Sequence, residues 1–96
     1  GGLEGNIKRI LPKNLSAKIY LNKIKPSSIF RWVYSQGVSD KEMIKTFNCG
    51  VGFCIVIKSK NFTKIKKYFK KNFQPYVIGE IFYGKKKIYL NGQIKW

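Results

Sequence analysis

The sequence predicts an α+β domain in which a mixed β-sheet is covered by helices. Three observations carry that expectation. Thr46–Ile57 is the longest stretch without a charged residue in a chain otherwise saturated with lysine. Leu15–Ile24 alternates apolar and polar residues with a period of two, the mark of a strand with one wet face. Leu3, Ile7, Ile10 and Leu11, and later Phe62, Ile65, Phe69 and Phe73, repeat at helical spacing.

Taken in order, the stripe from Leu3 to Leu11 reads as a helix that Pro12 ends. Gly1 and Gly2 stand at its start, where bare backbone N–H groups make a natural phosphate seat; a plain glycine turn reads the same way. In the following strand Ala17, Ile19 and Leu21 point one way, and Lys18, Tyr20 and Asn22 the other. Pro26 suits the first turn of a second helix that carries Ile29, Phe30 and Val33 inward, with Gly37 placed to cap its end. Ser39-Asp40-Lys41-Glu42 has the spacing of a capping box, so a short third helix follows through Met43 and Ile44.

That helix delivers Thr46-Phe47-Asn48 into Cys49–Ile57, an apolar run expected to be the central strand, buried on both faces. If it is extended, Gly50 and Gly52 share a face, and something approaches the backbone there, either a packed helix or a ligand. Ser59–Phe73 reads as the clearest helix, with lysines over the remainder of its surface. Tyr76–Tyr83 reads as another strand. Asn91-Gly92, between Lys87–Leu90 and Gln93–Trp96, is a strong hairpin signal, so residues 84–96 are expected to form a terminal β-hairpin.

Composition narrows the function classes. With 44% apolar and 16% aromatic residues, a 96-residue chain has material for a core and is too hydrophobic to stay disordered. Its net charge of +16 comes from eighteen lysines and two arginines against four acids. A polyanion-binding surface explains that balance. So does a genome rich in adenine and thymine, because lysine, isoleucine, asparagine, phenylalanine and tyrosine share such codons. The start at Gly1-Gly2-Leu3 reads as that of a truncated or processed product, and no apolar run approaches the roughly 20 residues of a membrane span. Cys49 and Cys54 would lie roughly 16 Å apart on one extended strand, beyond disulfide reach, which fits two buried thiols in a reducing cytoplasm.

Catalytic equipment is sparse. The chain has no histidine, no Walker-type loop, no dinucleotide fingerprint and no metal-ligand cluster, and its acids are scattered. No catalytic residue and no metal site is expected. The alternatives are therefore a binding module for nucleic acid or part of a larger enzyme. The preponderance of lysine over arginine and the lack of a nucleic-acid motif weigh against the first.

Four segments in order decide between them. They are Gly1-Gly2-Leu3-Glu4-Gly5-Asn6-Ile7-Lys8-Arg9-Ile10-Leu11-Pro12, Ile29-Phe30-Arg31-Trp32, Glu42 through Gly52, and Val77-Ile78-Gly79-Glu80. Over residues 1–83 the chain resembles the C-terminal domain of the phosphoribosylformylglycinamidine cyclo-ligase (aminoimidazole ribonucleotide synthetase) family. The resemblance implies that residues 1–96 are part of the second domain of a two-domain ligase, incomplete at its N-terminus, with residues 84–96 as an extension. It implies an ATP-dependent closure of formylglycinamidine ribonucleotide to aminoimidazole ribonucleotide in purine biosynthesis. ATP and magnesium would be held chiefly by an N-terminal domain that also forms a cytoplasmic homodimer, and the chain would be inactive alone. It implies neither a membrane nor a nucleic-acid partner. Position by position, Gly1, Gly2, Asn6, Arg9, Thr46, Asn48 and Gly50 match motif positions expected to hold substrate or nucleotide phosphate. Lys8 departs from the family's usual proline.

Overall fold

A computed structural model describes all residues from Gly1 to Trp96. Its centre is not the long uncharged run but the strand before it. Helix α1 (Gly2–Ile10) leads to β1 (Leu15–Tyr20), α2 (Ser28–Ser35), α3 (Asp40–Thr46) and α4 (Phe62–Lys66), followed by β2 (Gly79–Tyr83) and β3 (Ile88–Asn91). The sheet order is β2-β1-β3. β1 runs antiparallel to β2, pairing Ala17 with Ile81, and parallel to β3, pairing Ile19 with Leu90. The sheet is therefore mixed, as expected.

β1 earns the middle position through its alternation. Ala17 and Ile19 are buried on the face toward α1 and α3, where Leu3, Leu21, Ile24, Met43, Cys49 and Ile94 complete the core. On the other face Lys18 lies opposite Glu80 and Tyr89, and Phe82 packs near Tyr89. That is the wet face the alternation predicts. Glu80 accepts a hydrogen bond from the Tyr20 hydroxyl at 3.1 Å, so it is a partnered surface acid. Ser16 is buried, and its hydroxyl accepts from the Lys87 N–H at 3.1 Å.

The helix signals hold at the caps, whereas α2 begins at Ser28, beyond Pro26, and leaves Ile29 in solvent rather than inward. The stripe of α1 buries Leu3 and, just past its end, Leu11, but Ile10 stays in solvent. Gly37 takes φ +97° and its N–H bonds to the Tyr34 carbonyl, the left-handed cap that ends α2. Ser39 accepts from the Glu42 N–H at 3.2 Å, while the Glu42 carboxylate accepts from Thr46 Oγ1 at 3.0 Å, leaving half a capping box.

Three expectations are corrected. Cys49–Ile57 is not a buried strand: a turn at Cys49–Gly50 is followed by irregular chain without a ladder partner, and Phe53, Cys54, Ile55, Val56 and Ile57 are exposed. An apolar run becomes a strand only when another strand meets it, and both neighbours of β1 come from the C-terminal part of the chain. Ser59–Phe73 is not one helix. It breaks into a 3-10 turn at Ser59–Asn61, the five-residue α4 and a second 3-10 turn at Lys71–Phe73. Lys60, Lys64, Lys67 and Lys71 repel at three- and four-residue spacing without any acid among them. The apolar face is covered only at its start: Phe62 and Ile65 are half-buried, whereas Phe69 and Phe73 are exposed. Finally, Gly92 does turn the chain with φ +74°, and the C-terminal strands exist as β2 and β3. The partner of β3 is β1, however, whereas Gln93–Trp96 leaves the sheet to bury Ile94 in the core.

Candidate phosphate-binding groove

Residues near the start of α1 and on α3 come together because the two helices pack on each other. Gly2 makes the close approach possible. It has φ +71°, and a Cβ there would stand 2.5 Å from the Ile44 carbonyl oxygen and 2.7 Å from that of Lys45. Only glycine fits such a position.

Beside this contact lies an open groove of about 360 Å³, lined by Gly1, Glu4, Gly5, Lys41, Ile44, Lys45 and Leu90. The first turn of α1 offers backbone N–H groups with no carbonyl partner in the helix. Lys41 and Lys45, one turn apart on α3, add two ammonium groups, while Glu4 places one carboxylate against them. The groove suits a mono-anionic or di-anionic group better than a cation. The sequence motifs do not single out Lys41 and Lys45; their four-residue spacing on a capped helix is the signal that marks them.

The seven expected binding residues are placed unequally. Gly1 lines the groove, and Gly2 makes the helix contact beside it. Thr46 ends α3, next to Lys45, and its hydroxyl is directed back to Glu42. Asn48 lies in the turn beyond: its Oδ1 accepts from the Gly50 N–H at 3.0 Å and its carbonyl from the Val51 N–H at 3.0 Å. Cys49 at φ +55° and Gly50 at φ +105° complete that turn. Gly50 does not open on a cleft. A Cβ there would meet the Ser27 nitrogen at 3.0 Å, so the loop before α2 covers it, whereas Gly52 faces open space. Asn6 Nδ2 donates to the Gly2 carbonyl at 2.7 Å, tying the first turn of α1 together. Arg9 is exposed in the last turn, about 10 Å along the axis from Gly2 at about 1.5 Å per residue.

Cys49 is a packed core thiol. Burial pushes the Cys49 thiol above its ordinary range, and its sulfur lies 3.7 Å from the Met43 carbonyl. Its thiolate is therefore disfavoured. No three acids, cysteines or histidines gather where a metal ion would sit.

Residues 1–90 match the family described as AIR synthase related protein, C-terminal domain. The chain belongs to that family. The match runs seven residues past Tyr83, into β3, so the third strand is part of the family domain. The AIR synthase related family is one of ATP-utilising enzymes of the purine-biosynthesis type. No solved structure matches the chain. No helix is long and apolar enough to cross a membrane.

Proposed function

We propose that the chain is the C-terminal portion of an ATP-dependent cyclo-ligase that converts formylglycinamidine ribonucleotide to aminoimidazole ribonucleotide. The observation that carries this reading is the seating of Gly2 on the end of α3. It brings two segments far apart in sequence, Gly1–Gly5 and Lys41–Lys45, to one groove with anion-binding chemistry, with Thr46 and Asn48 just beyond it. In this reading the backbone N–H groups at Gly1 and Gly2, with Lys41 and Lys45, hold the 5′-phosphate of the substrate. Thr46 and Asn48 present hydroxyl and amide groups to its ribose or amide portion, Asn6 and Gly50 hold the two segments in shape, and Arg9 adds long-range attraction.

Transfer of the ATP γ-phosphoryl group to the formyl oxygen and the ring closure that follows need a companion N-terminal domain. Magnesium would neutralise the ATP phosphates there, since this chain gathers no acidic cluster. The homodimeric, cytoplasmic enzyme belongs to the same proposal. A nucleic-acid role is less well supported. Lys18, Lys23, Lys25 and Lys66 lie over the chain's own Phe82, Tyr20, Tyr76 and Phe62 rings at 4.7–5.9 Å, which engages aromatic faces a base would need.

Amide chemical shifts of the chain during titration test the reading. Formylglycinamidine ribonucleotide is expected to move Gly2, Lys45, Thr46 and Asn48 in a saturable way, and inorganic phosphate to do so more weakly. Shifts spread over the lysines of residues 58–71, equal for both ligands, would overturn it.

A further inference from the structure

We propose, on the reading of the α1–α3 groove as the seat of the substrate's 5′-phosphate, that Glu4 sets its specificity. Glu4 admits a single phosphate group and disfavours a polyphosphate such as that of ATP.

The chain has only four acids. Three are engaged by donors of the chain itself: Asp40 by the Trp96 indole, Glu42 by the Thr46 hydroxyl and Glu80 by the Tyr20 hydroxyl. Glu4 is the one without such a donor. It is exposed and lines the groove together with Lys41 and Lys45. An acid in the first turn of α1 complements the helix dipole wherever its side chain points. Its place in the groove adds a second effect, because any anion seated there meets its charge.

Size does not choose between the ligands. A groove of about 360 Å³ has room for a chain of phosphates as readily as for one. Charge does choose. The side chains lining the groove carry two positive charges, on Lys41 and Lys45, and one negative charge, on Glu4. Repulsion between Glu4 and a bound anion grows in proportion to the anion's charge. A phosphate monoester brings about two negative charges at neutral pH, and a triphosphate about twice as many. Glu4 therefore weakens the triphosphate about twice as much, in free energy, as the monoester. Without it the groove would be a general polyanion site, in a chain whose net charge of +16 already draws polyanions. With it, Lys41 and Lys45 hold the substrate's phosphate while ATP competes poorly for the same place.

Titration of the 96-residue chain with ribose 5-phosphate and with tripolyphosphate tests this through the amide shifts of Gly2 and Lys45. The solution is near neutral pH, at about 0.15 M salt and without magnesium. For charges roughly 7 Å apart in screened water, Glu4→Gln is expected to tighten ribose 5-phosphate about twofold and tripolyphosphate about fivefold. Glu4→Lys repeats the step, to about fourfold and about 25-fold. The ratio of the two affinities thus climbs from wild type through Gln to Lys. A helix-dipole role alone would lower the melting temperature and leave that ratio unchanged. Glu80→Gln changes the net charge as much as Glu4→Gln does, but on the outer face of the sheet, and is expected to keep the wild-type ratio. An equal ratio in all three Glu4 forms, or an equal rise in Glu80→Gln, would overturn the proposal and leave the groove a phosphate seat. Failure of both probes to move Gly2 and Lys45 saturably would remove the phosphate seat and the role of Glu4 with it.

Discussion

The Trp96 indole Nε1 donates a hydrogen bond of 2.6 Å to Asp40 Oδ1 at the start of α3, while its ring stacks on Tyr34 with centroids 4.5 Å apart. The last residue of the chain thus locks α2 and α3 to each other. Trp96→Phe keeps an aromatic ring but loses the donor, which is expected to cost about 2 kcal/mol. Trp96→Ala also removes the stack and is expected to cost about 3 kcal/mol or more. Urea unfolding reads both as lower midpoints at unchanged slope. Equal midpoints for the two variants would deny the hydrogen bond any part.

The paired glycines at the N-terminus are expected to behave oppositely. Gly2→Ala forces a side chain into φ +71° and against the carbonyls of Ile44 and Lys45. A left-handed non-glycine residue costs about 1–3 kcal/mol before any clash, so a lower melting temperature and a loosened α1–α3 contact are expected. Gly1 has nothing within 4 Å of a built Cβ. Gly1→Ala should therefore leave stability within about 0.5 kcal/mol, and any loss of ligand binding it causes reports on the groove alone.

What was legible in the sequence follows the range of the physics involved. Gly37, the Ser39 cap and the alternation of Ala17 and Ile19 are decided within a few residues, and each stands where the sequence places it. The fate of Val51–Ile57 depends on whether a distant strand meets it, which hydrophobicity does not encode. The tail shows a competition that local rules cannot weigh. Asn91-Gly92 turns the chain, but burying Ile94 and stacking Trp96 outweigh a two-stranded ribbon, which is marginal in water on its own. Of the groove, Gly1 is among the positions that the family resemblance marks, whereas Thr46, Asn48 and Gly50, marked in the same way, do not line it. The contribution of Lys41 and Lys45 required knowing that α3 lies beside α1.

The core and the stripe of α1 make a sharp contrast. Met43 is fully buried among Leu3, Ile19 and Ile94, so Met43→Ala is expected to cost about 2–5 kcal/mol. Ile10 belongs to the same helical stripe as Leu3 by spacing but is 66% exposed. Ile10→Ala should change stability by less than about 0.5 kcal/mol, since no packed contact is lost. Comparable losses for the two, in chemical denaturation, would mean that α1 packs through the whole stripe.

Stability is expected to fall in alkaline solution, in two steps with separate causes. Burial raises the Cys49 thiol above its ordinary value of 9.0. The hydrogen bond to Glu80, followed by desolvation and the Glu80 charge, raises the Tyr20 phenol above 10.0. Each group keeps its proton to higher pH in the folded chain than in the unfolded one. The unfolded state therefore binds fewer protons in that window, and stability declines as pH rises. The contribution is complete below the unfolded values and lost through the folded ones, so the decline begins near pH 9 with Cys49 and continues above pH 10 with Tyr20. Cys54 is exposed but is also raised, by the apolar chain around it, and Cys54→Ser removes its part. In that background Cys49→Ala should flatten the first step and Tyr20→Phe the second, as read by urea unfolding at successive pH values. Stability that rises between pH 9 and 11, or a second step that persists in Tyr20→Phe, would contradict this assignment.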